Sequence, residues 1–228
     1  MKAIILAGGL GTRLRSTVPD LPKPLAPVQQ RPFLAHLLDY WIQQGVDSFV
    51  LSVGYKHEMI QETFGEQYQG CPITYAVEKQ PLGTGGGILL ALQQLQDEDV
   101  VLAMNGDTFF KINLSNYFDF YQTSQAAACI ALHHSTNTQR YAGIGLDDQQ
   151  KITSFQQASS SLVNGGVYLF QPKLLLSHYP LNTALSLEQD ILPHIIGTSY
   201  VTGYMESALF IDIGVPEDYH RAQQLSLV

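Results

Sequence analysis

The sequence predicts an α/β fold with a mostly parallel central sheet and helices on both faces. Short apolar runs alternate with stretches of helical period through residues 1–104. Each apolar run has the length of a strand that is buried on both faces, and it is flanked by glycines or other turn-forming residues. Alternation of such strands with helices is typical of parallel β-α-β units.

The first half is expected to hold four strands and three helices. The strands are 2–7, 48–53, 72–78 and 99–104, and the helices between them are 33–44, 56–64 and 85–95. Gly45 ends the first helix, because glycine commonly follows a helix C-terminus. Ligands of such a sheet bind beyond the carboxyl ends of its strands, so a site is expected at that edge.

The second half has a β-rich pattern, which predicts a smaller substrate-binding region. Its expected strands are 126–132, 142–146, 151–155, 165–170, 199–204 and 209–213, and its helices are 187–196 and 216–226. Asp147-Asp148 marks a hairpin turn between two of these strands. Because no long linker separates the halves, we expect a single domain over residues 1–228.

Composition and charge limit the possible partners. The chain has 228 residues, of which 45% are hydrophobic, and its formal net charge is −8. Such a charge argues against nucleic acid and against anionic membranes as partners. Residues 1–31 nevertheless contain five basic side chains and one acidic side chain. A local basic patch on an acidic protein suits a small polyanion.

Cysteine usage and hydropathy favour a cytoplasmic location. Cys71 and Cys129 lie far apart and fit no metal or redox spacing, so both are expected to be reduced thiols. The first strand begins at once after Met1, without a signal peptide, and no apolar stretch reaches the roughly 18 residues of a membrane span. The sequence leaves open whether copies of the chain associate into a homo-oligomer.

A glycine-rich turn follows the first strand, with the sequence Gly8-Gly9-Leu10-Gly11-Thr12-Arg13. Glycines allow backbone N–H groups to approach a ligand closely, and a turn of this kind suits a phosphate. Arg13 and Lys23 add positive charge at the same loop. A dinucleotide-binding loop needs a glycine where Leu14 stands, and a Walker loop needs Gly-Lys-Ser/Thr. Neither common alternative therefore fits.

Two further segments follow predicted strands. Asp107 follows the fourth strand, where a carboxylate is well placed to ligate Mg²⁺. Three glycines at 83, 85 and 86 open a helix, and inside a helix each costs about 1 kcal/mol relative to alanine. Close approach of the backbone to a flat ligand would explain these glycines, whereas a loosely packed helix start is the alternative.

Together these motifs resemble the sugar-1-phosphate nucleotidyltransferase family, whose opening signature is Gly-Gly-x-Gly-Thr-Arg-Leu followed by Pro-Lys-Pro. The resemblance covers nearly the whole chain. It implies a Rossmann-like sheet, Mg²⁺ as the cofactor, and two small-molecule substrates, a nucleoside triphosphate and a sugar 1-phosphate. A nucleoside monophosphate would be transferred and pyrophosphate released. The nucleotide-binding half would be about 1–110, and the sugar-phosphate-binding half about 111–228.

The resemblance also implies roles for individual residues. Arg13, Lys23 and Asp107 would be catalytic, and Asp107 would share Mg²⁺ with Asp212 of the segment Asp212-Ile213-Gly214-Val215-Pro216. This sharing requires the fold to bring the two aspartates together. The implied nucleotide-binding residues are Leu6, Ala7, Gly8, Gly9, Gly11, Thr12, Glu78, Pro81, Leu82, Gly83, Thr84, Asn105 and Gly106. Those for the sugar phosphate are Asn164, Gly165, Gly166, Glu188 and Gln157.

One position departs from the family pattern. The family carries Glu-Lys after an aromatic residue, where the lysine contacts the sugar phosphate, but here Phe155 is followed by Gln156-Gln157. Lys151 or Arg140 could supply the missing charge. The departure also supports an alternative function, a nucleotide-binding regulatory protein without turnover.

Within the family, segments such as Arg31-Pro32-Phe33 and Asn105-Gly106-Asp107-Thr108-Phe109-Phe110 are most similar to the guanylyltransferases of D-glycero-α-D-manno-heptose 1-phosphate. Mannose-1-phosphate guanylyltransferases are the nearest rivals, and uridylyl- and thymidylyltransferases come next. GTP and the heptose phosphate are therefore the expected substrates.

Overall fold

A computed structural model describes residues 1–135, 143–155 and 160–227 of the chain. Its strands are β1 (Lys2–Leu6), β2 (Pro27–Val28), β3 (Arg31–Pro32), β4 (Ser48–Val53), β5 (Gln67–Tyr68), β6 (Cys71–Val77), β7 (Val101–Asn105), β8 (Thr108–Phe110), β9 (Ala128–His134), β10 (Ile144–Leu146), β11 (Ile152–Phe155), β12 (Leu162–Phe170), β13 (Val201–Met205) and β14 (Phe210–Asp212). The helices are α1 (Phe33–Gln43), α2 (His57–Phe64), α3 (Gly83–Leu92), α4 (Leu114–Ser124), α5 (Pro172–Leu176), α6 (Leu192–Thr198) and α7 (Pro216–Ala222), with a 3₁₀ turn at Lys23–Leu25 and a π-helical turn at Leu187–Ile191.

Eight strands form one sheet in the order β13-β9-β12-β7-β1-β4-β6-β5. Strands β7, β1, β4 and β6 run parallel to one another. Strand β12 enters antiparallel between β7 and β9, and the outer strand β13 is parallel to β9. The predicted α/β fold with a mostly parallel central sheet is therefore confirmed. Strands from both halves of the chain build this one sheet.

The sheet is buried on both faces because alternate residues of its central strands enter two different cores. Ile5 of β1 packs on one face with side chains of α1, α2, α4 and α7. Its neighbour Ile4 packs on the other face with α3, α5 and α6. The continuous apolar runs of the sequence follow from this double burial.

Three short two-stranded sheets flank the main one, formed by β10 with β11, β14 with β8, and β2 with β3. The predicted hairpin at Asp147-Asp148 joins β10 to β11. Asp147 Oδ1 accepts hydrogen bonds from the backbone N–H groups of Gln149 and Lys151, both at 2.9 Å. These bonds close the turn. No described helix has both the length and the apolar character of a membrane span.

The predicted elements leave out helix α4, and they give residues 187–196 as a single helix. Helix α4 buries Leu114, Tyr117 and Tyr121, whose i, i+3 and i+7 spacing is typical of an amphipathic helix, so the sequence carries a signal for this helix that the predicted elements leave out. Asn113 caps it by accepting from the Asn116 N–H at 2.9 Å. The predicted helix 187–196 divides into the π-helical turn and α6. Pro193 stands in the first turn of α6, where its missing N–H costs nothing.

Candidate active site

A cavity of about 710 Å³ lies at the carboxyl ends of β1 and β7, the edge where the sequence predicts a site. Most of the residues implied by the sequence line it. They are Leu6, Gly8, Gly9, Gly11, Thr12, Arg13, Glu78, Pro81, Gly83, Thr84, Asn105, Asp107, Asn164, Glu188 and Asp212.

Several other implied residues lie outside the cavity lining. Ala7, Leu82, Gly106, Gly165 and Gly166 are buried, and their implied roles in substrate binding stay predictions.

Of the two residues that could replace the missing positive charge near Gln157, only Lys151 lies within the described residues. Lys151 belongs to the β10–β11 hairpin and is not among the lining residues. Gln157 and Arg140 lie outside the described residues, so the structure leaves the predicted role of Gln157 in binding the sugar phosphate as it stands.

The cavity also has lining residues that the sequence does not single out. They are Leu10, Thr108, Phe155, Gln189 and Phe210. Thr108 directly follows Asp107, and Phe210 precedes Asp212 by two residues in β14. Alternation along a strand places residues i and i+2 on one face. Once Asp212 is placed in the cavity, Phe210 is therefore expected to face the cavity as well.

The glycine turn runs beside Lys23. Gly11 has a φ of +60°, and a β-carbon at this position would lie 3.3 Å from Lys23 Cβ. The Leu14 N–H donates to Gly11 O at 3.0 Å and closes the turn. A side chain at position 11 would therefore be strained and would press on the lysine stem.

Lys23 is not itself among the lining residues, but it forms an ion pair with the lining residue Asp107. Its Nζ lies 2.5 Å from Asp107 Oδ2, and only 13% of the lysine side chain is exposed. Strand β2 begins two residues after the 3₁₀ turn that carries Lys23, and it is tied to the end of the chain that holds α7. Tyr219 Oη donates to Pro27 O at 2.7 Å, and Gln223 Nε2 donates to the same oxygen at 2.9 Å. These bonds anchor the backbone four residues after Lys23.

Asp107 and Asp212 come together through the pairing of β8 with β14. Asp212 stands opposite Thr108 in this ladder, and the Ile213 N–H donates to Asp107 O at 2.9 Å. Asp212 Oδ1 accepts from the Gly214 N–H at 2.6 Å. A β-carbon on Gly214 would lie 3.5 Å from Arg13 Nη2. Two carboxylates and two cations therefore converge at the glycine turn.

This donor set fits Mg²⁺ that substrates and water help to hold. Carboxylate oxygens are hard ligands, and protein-bound Mg²⁺ commonly keeps one or two carboxylates, several waters and substrate phosphates. Within the described parts of the chain, no group of three or more His, Cys, Asp or Glu residues forms a metal site. Asp107 and Asp212 could supply two ligands, and the remaining ligands would come from a phosphate and water.

Glu78 places a carboxylate against the glycine turn. Its Oε2 accepts from the Leu82 N–H at 2.9 Å, and Ser52 Oγ lies 3.5 Å from Oε1. A β-carbon on Gly8 would lie 2.7 Å from the same Oε1. Burial raises the pKa of Glu78, while the bonds from Leu82 and Ser52 act in the opposite direction.

The glycines at the start of α3 have a different explanation from the expected one. The segment 183–185 packs its backbone directly on them. A β-carbon on Gly83, where φ is +72°, would lie 2.6 Å from Leu185 O, and one on Gly86 would lie 2.5 Å from Thr183 O. Approach of the protein's own backbone therefore requires these glycines, whatever ligand binds beside them. This packing explains the glycines without a ligand, and the expected approach of a flat ligand stays a prediction.

Gly86→Ala is expected to lower the free energy of unfolding by about 1–3 kcal/mol, because overpacking forces the surrounding backbone to move. Urea denaturation measures this change. Gly197→Ala is the matched control, since a β-carbon at this α6 position meets nothing within 4 Å. Alanine is favoured over glycine in a helix by about 0.5–1 kcal/mol, so the control should keep or gain stability. Equal losses in both variants would contradict the packing explanation.

Asn164 lies at a bulge of β12. The pairing register with β9 shifts between Asn164 and Tyr168. Asn164 Oδ1 accepts from the Gly166 N–H at 2.9 Å, and its Nδ2 donates to Tyr168 Oη at 2.7 Å. A β-carbon on Gly165 would lie 2.6 Å from the Phe110 ring. The glycine pair thus lets the strand bulge, and the bulge presents Asn164 to the cavity.

Comparisons with known proteins agree with this architecture. The family model described as nucleotidyl transferase matches residues 2–227. D-glycero-alpha-D-manno-heptose 1-phosphate guanylyltransferase of Aneurinibacillus thermoaerophilus is 41% identical over 98% of this chain and 97% of that protein. The protein of the same name from Campylobacter jejuni is 40% identical over 96% and 97%. The crystal structure of HddC from Yersinia pseudotuberculosis complexed with GMP-PN has a TM-score of 0.85 at 30% identity, covering 98% of each chain.

Proposed function

Because the chain belongs to the nucleotidyl transferase family, we propose that it transfers GMP from GTP to a sugar 1-phosphate. The preferred acceptor in this proposal is D-glycero-α-D-manno-heptose 1-phosphate. The observation that carries the proposal is the convergence of Arg13, Lys23, Asp107 and Asp212 at the glycine turn. Two relatives that are at least 40% identical bear the name of this activity, and a similar structure was solved with GMP-PN.

The proposed reaction needs no protein nucleophile, because the sugar phosphate is itself one. A phosphate oxygen attacks the α-phosphorus of GTP, the bond from this phosphorus to the oxygen bridging to the β-phosphate breaks, and pyrophosphate leaves. The protein contributes position and charge. Arg13 and the backbone N–H groups of residues 8–12 hold the triphosphate. When the nucleotide binds, the Lys23 ammonium leaves Asp107 and pairs with an oxygen of the α-phosphate. It stabilises the negative charge that develops on this phosphate.

Asp107 and Asp212 would hold Mg²⁺, which when bound supplies further positive charge to the phosphate oxygens. On the acceptor side, Asn164 and Glu188 offer hydrogen-bonding groups to sugar hydroxyls. Residues of 1–110 contribute most of the nucleotide side, and residues of 111–228 contribute the sugar side. Since both substrates are small cytoplasmic metabolites, we place the protein in the cytoplasm.

Glu78 is the proposed reader of the base. Burial raises the pKa of Glu78, and the bonds from Leu82 and Ser52 act against that shift. In its ionised form the carboxylate only accepts hydrogen bonds. Guanine presents two donors side by side, N1–H and its 2-amino group. Uracil, thymine and cytosine present no such pair on one edge. A carboxylate in the cavity wall therefore favours GTP over the pyrimidine nucleotides.

Glu78→Gln is expected to lower kcat/KM for GTP by about tenfold or more, because a charged hydrogen bond is worth roughly 1.5–3 kcal/mol. Values for UTP, dTTP and CTP should change much less. The measurement is pyrophosphate release with each nucleotide at saturating sugar phosphate, and Glu66→Gln on the surface is the control. An equal fall for all four nucleotides would assign Glu78 to support of the glycine turn instead.

The function itself is tested by pyrophosphate release with GTP, UTP, dTTP and CTP against a panel of sugar 1-phosphates. The panel contains the heptose phosphate, mannose 1-phosphate and glucose 1-phosphate. Highest kcat/KM with GTP and the heptose phosphate supports the proposal. Highest kcat/KM with mannose 1-phosphate would move the assignment to the rival guanylyltransferase. Nucleotide binding without turnover on any sugar would favour the regulatory alternative.

A further inference from the structure

One hydroxyl joins the two sides of the cavity. Thr84 Oγ1 accepts from the Leu187 N–H at 2.8 Å and donates to Glu188 Oε2 at 2.9 Å. Thr84 belongs to the first turn of α3, on the nucleotide side. Glu188 belongs to the π-helical turn on the sugar side. A threonine hydroxyl can accept one hydrogen bond and donate another at once, and this position uses both.

The backbones of the two segments are already fixed to each other. Leu185 O accepts from the Gly85 N–H at 2.9 Å and from the Gly86 N–H at 3.2 Å, and the Leu185 N–H donates to Leu82 O at 2.9 Å. Removal of the Thr84 hydroxyl therefore leaves the two segments in contact. It releases the side chain of Glu188 and takes the acceptor from the Leu187 N–H.

The Glu188 carboxylate depends on side-chain hydroxyls for its position. Within the described parts of the chain, Oε2 accepts from Thr84 Oγ1 and, more weakly, from Ser186 Oγ at 3.3 Å. Oε1 accepts no hydrogen bond from these residues. A glutamate loses considerable rotamer freedom when it is ordered. A carboxylate held in place through one oxygen can offer the other to a ligand without that cost.

The local helix geometry fits a functional role. The Ile191 N–H donates to Ser186 O at 3.2 Å, a five-residue spacing that makes this turn π-helical, and single π turns are frequent at functional sites. Ser186 Oγ also accepts from the Gln189 N–H at 3.1 Å. This turn directs both Glu188 and Gln189 to the cavity wall.

We propose that Thr84 is a positioning residue, whose hydroxyl orients Glu188 for the hydroxyl groups of the sugar. This inference rests on the proposed function, in which Glu188 binds the sugar. According to this inference, Thr84 belongs to the nucleotide-side segment but influences the affinity for the sugar 1-phosphate. Thr84 need not touch the sugar to do so.

Thr84→Val is the central variant, because valine keeps the shape and removes the hydroxyl. KM for the sugar phosphate should rise about tenfold or more, as expected for a lost hydrogen bond to a charged group. KM for GTP should rise much less than KM for the sugar phosphate. Thr84→Ser should restore the sugar KM, since serine keeps the donor and the acceptor. Thr63→Val is the control, because the Thr63 hydroxyl bonds only to its own helix at Met59 O.

A double-mutant cycle with Glu188→Ala completes the test, because alanine removes the acceptor of the Thr84 hydroxyl. If Thr84 acts through Glu188, the two changes together should raise the sugar KM little more than Glu188→Ala alone. Calorimetry of sugar-phosphate binding to the wild type, the two single variants and the double variant gives the same comparison in terms of Kd. Additive effects, an unchanged sugar KM in folded Thr84→Val, or equal rises in both KM values would overturn the inference.

The outcomes also separate this inference from the proposed function. Wild-type protein that neither turns over nor binds any sugar 1-phosphate would contradict the function and the inference together. Wild-type turnover with an unaltered Thr84→Val would contradict the role of Thr84 alone.

Discussion

Lys23→Met is expected to lower kcat/KM by about 10²–10³-fold, the usual cost of losing one preorganised group that stabilises developing charge. Methionine keeps most of the lysine stem, which packs beside Gly11, and removes the ammonium that pairs with Asp107. Arg13→Ala should cause a loss of similar size. Steady-state pyrophosphate release gives the rates, and circular dichroism with thermal unfolding confirms that each variant folds.

Lys56→Met is the matched control for these cations. Lys56 Nζ donates to Asp20 O at 2.6 Å and lies over the Tyr55 ring, whereas Lys23 pairs with Asp107 of the cavity. Its replacement should leave kcat/KM within about threefold. Near wild-type turnover in folded Lys23→Met and Arg13→Ala would refute the phosphate-binding role of the glycine turn.

Asp107→Asn and Asp212→Asn should each lower activity by about a hundredfold or more, and the Mg²⁺ concentration for half-maximal activity should rise. Asparagine keeps the size of the side chain but removes the charge that a hard cation needs. Even changes to groups that only orient metal ligands typically cost 10- to 100-fold in affinity or activity. The measurement is a Mg²⁺ titration of the rate at saturating substrates.

Asp148→Asn in the β10–β11 turn is the control, because this aspartate lies on an exposed hairpin. It should leave the Mg²⁺ titration unchanged. If either cavity variant lost activity without any shift of the titration, its aspartate would serve Lys23 or Arg13 as a counter-charge rather than Mg²⁺ as a ligand.

The sequence predicts those parts of the fold that local pattern determines. Strand β1 and the glycine turn follow from an apolar run and three glycines, and the alternation of elements predicts the parallel strands. Local pattern cannot show which distant segments pair. The β8–β14 ladder, three residues on each strand, has no periodic signal of its own. Asp212 was placed beside Asp107 only through the resemblance to a family.

Packing between distant segments explains the other differences between the predicted and the observed site. Glycine at 83 and 86 indicates that something approaches the backbone closely, but not whether this is a ligand or Leu185 and Thr183 of the same chain. The Thr84–Glu188 bond joins residues that are 104 positions apart. Such contacts depend on the tertiary structure, since side-chain chemistry alone does not choose between many possible partners.

The pairing of β8 with β14 has a consequence for synthesis on the ribosome. Asp212 and the Ile213 N–H that bonds to Asp107 O come almost at the end of the chain, and so do the α7 groups that hold Pro27 O. A nascent chain cannot bring Asp212 to Arg13, Lys23 and Asp107 while residues 210–223 are still inside the ribosome. The strands β1, β4, β6 and β7 have already emerged at that stage. Long-range pairing of this kind also slows folding. The growing polypeptide should therefore remain inactive until residues 210–223 have emerged from the ribosome.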